Sequence, residues 1–187
     1  SMCKTVGASL ILGMMALVAP AAAATVSLAA PSTVNAGDAI SVTVSVDSGT
    51  VSGFAVSLGY DVGLVELNGL TLGSVFDGLT FGTDYDLFLT GFGADLIALE
   101  SVLLLDVAAP VSLLTFNFTA LSRASGTAVF LADLAVSDLL NGTEEDFQLS
   151  QGVEIALPAV PLPAGGLLTL SALAGLGALR LRRKQTL

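Results

Sequence analysis

Residues 33–46 read TVNAGDAISVTVSV, and the second half of this stretch decides the fold. From Ile40 onward, Ile40, Val42, Val44 and Val46 fall on one side of an extended chain, while Ser41, Thr43 and Ser45 fall on the other. Successive side chains of a strand point to opposite faces, so this alternation marks a half-buried antiparallel strand. Gly37-Asp38 supplies the turn before it.

The same alternation returns along the chain. In FAVSLGY, Phe54, Val56, Leu58 and Tyr60 share a face; in LTFNFT, Leu114, Phe116 and Phe118 oppose Thr115, Asn117 and Thr119. GVEIAL contributes Val153, Ile155 and Leu157 to a further inward face. Asn68-Gly69, Asp77-Gly78 and Asn141-Gly142 offer the positive φ of tight hairpins, and Ser125-Gly126 is another break. LIALESVLLLDV (96–107) is leucine-rich enough for a short helix, although its surroundings favour a buried strand. Short strands without a sustained helical period predict an all-β sandwich over residues 25–157.

The two ends are of another kind. Lys4, the apolar run VGASLILGMMALVA (6–19) and the small residues around Ala22 and Ala24 form a secretory signal peptide, residues 1–24. Cleavage is expected after Ala24, within two residues. Cys3 leaves with this segment, so disulfides, thiol catalysis and cysteine-ligated metals leave with it. Near the other end, residues 159–179 carry no charge, and as a helix they span about 30 Å, enough to cross a bilayer core. Arg180, Arg182, Arg183 and Lys184 follow as a cytoplasmic basic stop, which leaves the domain on the outer side. The expected architecture is therefore a sandwich flanked by an N-terminal signal helix and a C-terminal transmembrane helix over about 165–179, within a tail of 158–187.

Charge separates these parts. All sixteen carboxylates lie between Asp38 and Glu154, where Arg123 is the one cation, a net of −15. Such a field repels nucleic acid phosphates and keeps a secreted surface soluble. The domain also has no His, Cys or Lys, which excludes Ser-His-Asp, Cys-His and Ser-Lys chemistry together with zinc sites of the His or Cys type. Two carboxylates alone could serve a glycosidase, but such clefts use aromatic platforms, and the chain has no Trp and only Tyr60 and Tyr85. No enzyme is expected. In FDGLTFGTDYDLFLTGFGAD, Asp84, Asp86 and Asp95 are candidate calcium ligands, set against solvated turn carboxylates as the plainer account.

Two resemblances add to this. Val160-Pro161-Leu162-Pro163-Ala164, a glycine-rich apolar run and a terminal basic cluster, in that order, resemble the VPLPA-type variant of the PEP-CTERM sorting signals. Those occur in Gram-negative bacteria that make exopolysaccharide. The resemblance implies processing by an exosortase near the proline motif, transient membrane anchoring, and then the cell surface or matrix; the apolar run and basic stop by themselves fit a permanent single-pass anchor equally. Two prolines keep the motif extended and accessible.

The stretch 33–46, followed by SGFAVSLGYDVGLVELNGLTLG (52–73), resembles the opening of a cohesin domain, with Gly37-Asp38, Tyr60-Asp61 and Leu64-Val65-Glu66-Leu67 at the family's positions. LLTFNFTALSRASGTAVFLADLAVSD (113–138) is similar to its later strand, loop and strand; Val62 stands where the family often has proline. This implies a cohesin-like jelly-roll β-sandwich of nine strands that binds a dockerin-like protein through one sheet face. The expected function is non-catalytic binding or scaffolding, with a carbohydrate- or calcium-binding module retained in exopolysaccharide as the alternative.

Overall fold

The computed structural model describes residues 23–139 and 142–158. Most of the signal segment, the VPLPA motif, the transmembrane run and the basic stop lie outside the described residues. Among the described residues no helix is long and apolar enough to cross a membrane.

The strands are β1 (Thr25–Ala29), β2 (Thr33–Asn35), β3 (Ala39–Ser48), β4 (Thr50–Gly59), β5 (Val65–Leu72), β6 (Tyr85–Phe92), β7 (Leu96–Ala108), β8 (Val111–Ala120), β9 (Gly126–Asp138) and β10 (Thr143–Ala156). A 3₁₀ turn, Ser74–Phe76, follows β5. Four strands form one sheet in the order β1-β3-β8-β5; six form the other in the order β2-β10-β9-β4-β7-β6. The expected nine strands become ten because the short β2 pairs in parallel with the end of β10.

Alternation places the core as the sequence requires. Ile40, Val42, Val44 and Val46 are completely buried on β3, and Phe54, Val56 and Leu58 of β4 are buried on the inner face of the other sheet. Phe116 and Phe118 of β8 and Phe130 of β9 fill its centre. The leucine-rich 96–107 segment is strand β7, hydrogen-bonded on both sides, to β4 and to β6. Its inward residues are Ile97, Leu99, Ser101 and Leu103, and its outward face keeps Leu96, Val102 and Leu104 exposed. The core residues run from Ile40 to Ile155, so the described segment supplies a complete core.

Some turn expectations fail for identifiable reasons. Asn68-Gly69 is no hairpin: it sits inside β5, where the register with β8 shifts between Leu67 and Gly69, a bulge that absorbs the glycine. Asp77-Gly78 closes the 3₁₀ turn rather than a hairpin, with Gly78 at φ 75°. Gly142, at φ 63°, does lie in the β9–β10 hairpin. Leu157 falls one residue beyond β10 and is exposed, because the inward alternation ends with Ile155.

Candidate functional site

The outer face of the six-stranded sheet is a trough with small residues along its floor. Strand β4 turns Gly53, Ala55 and Ser57 outward. Pairing sets Ala135 of β9 and Glu100 of β7 on either side of Ala55, and Asp133 and Ala98 on either side of Ser57. The same rows continue to Asp146 and Gln148 on β10 and to Phe88 on β6. Gly53 belongs to the row of Glu144, Ser137, Val102 and Asp86. A Cβ at Gly53 would lie 2.9 Å from both the Ser101 carbonyl oxygen and Ser137 Oγ, so glycine lets these strands close up.

The floor therefore rises nowhere above a serine along β4. Its walls carry Asp133, Glu144 and Asp146 on one side and Asp86 and Glu100 on the other. No cation stands on this face among the described residues; Arg123 lies in the β8–β9 connection. Beside the acids stand exposed apolar side chains, with Phe88 52%, Val102 43% and Leu104 71% exposed. A depression of about 440 Å³ lies over Ala55, Ser57, Ala98, Asp133 and Ala135, and another of about 240 Å³ continues over Gly53, Val102 and Ser137. Two buried serines fix the floor. Ser52 Oγ donates to the Asp106 carboxylate and accepts the Leu139 N–H at 3.0 Å, and Ser101 Oγ donates to the Asp86 carbonyl at 3.0 Å.

The opposite outer face, on the four-stranded sheet, has different chemistry. Thr43 and Thr115 pair hydroxyl to hydroxyl at 2.9 Å, Ser41 Oγ donates to Asn117 Oδ1 at 3.2 Å, and Asn117 Nδ2 donates to Thr71 Oγ1 at 2.9 Å. Asn68 Nδ2 donates to Thr119 Oγ1 at 2.6 Å. The result is a neutral array of hydroxyls and amides, with Asp47 and Glu66 only at its margins.

A third concavity, about 620 Å³, lies at the end of the sandwich where β10 finishes, lined by Tyr60, Val62, Glu66, Leu67, Phe92 and Leu121 among others. Burial, and then the negative charge of Asp95, push the Tyr60 phenol above its ordinary value of 10.0. The folded state thus holds this proton more tightly than the unfolded chain does. Stability is expected to fall as pH rises through 10 toward the folded value, and Tyr60→Phe should abolish that loss. Denaturation midpoints of the two proteins between pH 9 and 11 check this.

The candidate calcium ligands are not brought together. The Asp84 carboxylate accepts the Thr80 N–H at 2.8 Å ahead of β6, and Asp86 lies at the start of β6. Asp95 belongs to the turn after β6, where its carbonyl accepts the Tyr60 N–H at 3.0 Å. At about 3.3 Å per residue, the eight residues of β6 put about 25 Å between the two ends. Among the described residues no group of three or more acidic side chains is close enough to hold a metal ion. Of the signal cleavage residues only Ala24 is described, and it packs against the domain. The trough residues went unnoticed in the sequence, because Gly53, Ala55, Ala98 and Ala135 acquire meaning only when neighbouring strands align them.

No family model and no curated protein matches the chain by sequence. Solved structures do resemble it. The cohesin module of a family 33 glycoside hydrolase from Clostridium perfringens superposes with a TM-score of 0.56 at 15% identity, covering 72% of this chain and 98% of that one. The cohesin CaCohA2 of Clostridium acetobutylicum gives 0.51 at 18% identity, over 71% and 91%. The major pilin SpaD of Corynebacterium diphtheriae gives 0.53 at 13% identity, over 70% of this chain and 34% of the pilin. At these identities the likeness is one of fold, and the chain is a cohesin-like β-sandwich.

Proposed function

We propose that this domain is a non-catalytic protein-binding or scaffolding module whose partner docks in the trough of the six-stranded sheet. The small-residue floor of Gly53, Ala55, Ser57 and Ala135 carries the reading: it lets the backbone of an elongated element, such as a helix, approach closely. The carboxylate walls select a partner with basic flanks, and Phe88, Val102 and Leu104 give it apolar anchorage. The cohesin fold supports this, since a cohesin CaCohA2 and a scaffoldin cohesin of Acetivibrio cellulolyticus have each been solved in complex with a dockerin. A dockerin-like protein is the partner class that fits. The field of the domain gives nucleic acid no purchase.

Export by the signal peptide, transient anchoring by the apolar tail and processing by an exosortase-like enzyme at Val160–Ala164 belong to the same proposal. They are supported by the order of motif, apolar run and basic stop. The module then works at the cell surface or in the extracellular matrix of a Gram-negative bacterium.

The test is capture of the cell's own exoproteins on the immobilised segment 23–158. A discrete protein is expected, released by salt, and Ala55→Arg or Ala135→Arg should weaken its binding at least tenfold, about 1.4 kcal/mol or more. Binding that ignores both substitutions would remove the trough from consideration.

The hydroxyl array on the four-stranded sheet favours a second reading, retention on exopolysaccharide. An uncharged polyol finds donors and acceptors there and meets no row of carboxylates. Salt-insensitive retention on the native polymer, lost in Thr43→Val/Thr115→Val and unchanged in Ala55→Arg, would move the function to that face.

A further inference from the structure

Ala24 marks a sharp boundary in the chain. Ala23 is exposed, whereas Ala24 is half-buried and packs against the core. The Ala24 nitrogen lies 2.9 Å from Glu145 Oε2, which reaches it from β10 across 121 residues of sequence. On its other side Ala24 rests on Gly49, where φ is +102° and an added Cβ would stand 3.4 Å from both the α and β carbons of Ala24. Removal of Ala24 would take a seated residue out of the fold and leave Glu145 without the donor it faces.

We propose, resting on the signal-peptide reading, that a signal peptidase cuts the Ala23–Ala24 bond and that the new terminus at Ala24 forms an ion pair with Glu145. Ala21 and Ala23 supply the small residues of an A-x-A site for this cut, as Ala22 and Ala24 do for the cut one residue later. In the reaction, water adds across the peptide bond: its oxygen joins the Ala23 carbonyl carbon to give a carboxylate, and the released Ala24 nitrogen becomes an ammonium. A neutral amide donor facing Glu145 thus becomes a cation facing it, and charge-assisted hydrogen bonds are the stronger kind. The field favours this exchange, because Arg123 is the only cation between Asp38 and Glu154.

The place of the pair gives it a purpose. β1 is the edge of the four-stranded sheet, and β10 lies one strand in from the edge of the six-stranded sheet on the same side of the sandwich. The ammonium therefore ties the two sheets where no backbone ladder joins them. The precursor already makes this contact through a neutral amide, and processing turns it into an ion pair.

The full chain, expressed and exported in a Gram-negative host, should yield protein whose terminal sequencing begins at Ala24. A start at Thr25 or later would overturn the proposal. Recovery of uncut chain would overturn the signal-peptide reading on which it stands. In the processed protein, acetylation of the terminal amine should lower Tm by about 3 °C, and the loss should be absent in Glu145→Gln. The stabilisation should be full below the unperturbed α-amino range of about 7.7–8.0 and fade as pH rises above it. An equal effect of acetylation in both proteins would show that no ion pair forms.

Discussion

Phe118→Ala is expected to cost about 4 kcal/mol, a large share of the 5–15 kcal/mol that holds a domain of this size together. Phe118 is completely buried on β8, with its ring centroid 5.0 Å from that of Tyr60 and 5.0 Å from that of Phe130, at interplanar angles of 63° and 51°. Tyr60 follows β4 and Phe130 lies on β9, so one ring joins the four-stranded sheet to the six-stranded one. Truncation leaves a void between two stiff sheets that the surrounding packed side chains hold apart, and partial collapse cannot fill it. Both the transfer and the cavity contributions are therefore expected in full. Urea denaturation of the wild type and the variant measures the difference, and a loss under about 1.5 kcal/mol would show that the sheets can close over the gap.

Gly73→Ala should cost about 3 kcal/mol, although the substitution adds a single methyl group. An added Cβ would fall within the carbonyl group of Ser112 and 2.7 Å from the carbonyl carbon of Leu113. These are backbone atoms of β8, and no side-chain rotation relieves the clash. The local hydrogen bonds tighten the junction further: Gly73 N–H to the Leu113 carbonyl at 2.9 Å, Ser74 N–H to Ser112 Oγ at 2.8 Å and Ser112 N–H to Ser74 Oγ at 3.0 Å. Gly69→Ala, a few residues away, is the control, since nothing stands within 4 Å of its added Cβ. It should change stability by no more than about 0.5 kcal/mol. Similar losses in the two variants would show that the clash with Ser112 and Leu113 is not the cause, since the loss of chain entropy on Gly→Ala acts in the stabilising direction.

The contrast between these glycines shows what the sequence could and could not reveal. Period-2 alternation identified β3, β4, β8 and the end of β10, because a strand buried on one face must write its burial into every second residue. It resolved 96–107 only through its neighbours: β7 carries leucines on both faces, and strands β4 and β6 on either side make it a strand. Asn68-Gly69 failed as a hairpin signal because a bulge and a turn ask for the same residues. The trough was illegible for a different reason. Ala55, Ala135 and Ala98 are far apart in sequence and ordinary in kind, and only the register of three strands makes a floor of them. The separation of Asp84 and Asp86 from Asp95 was hidden in the same way. A short stretch of sequence carries no distance until an intervening strand extends it.

The short parallel pairing of β2 with β10 bears on how the domain would carry a load. Glu154, Ile155 and Ala156 lie beside Thr33, Val34 and Asn35, and the Ala36 N–H reaches the Ala156 carbonyl at 2.8 Å. On its other side β10 is in continuous register with β9 from Thr143 to Ile155. A pull on the chain beyond Pro158, with a partner gripping the sheet, is directed along β10 and strains both ladders lengthwise. The bonds of such a ladder share the tension and yield together, whereas those of a strand peeled from an edge break in succession. The strand nearest the tail is thus built as a mooring line.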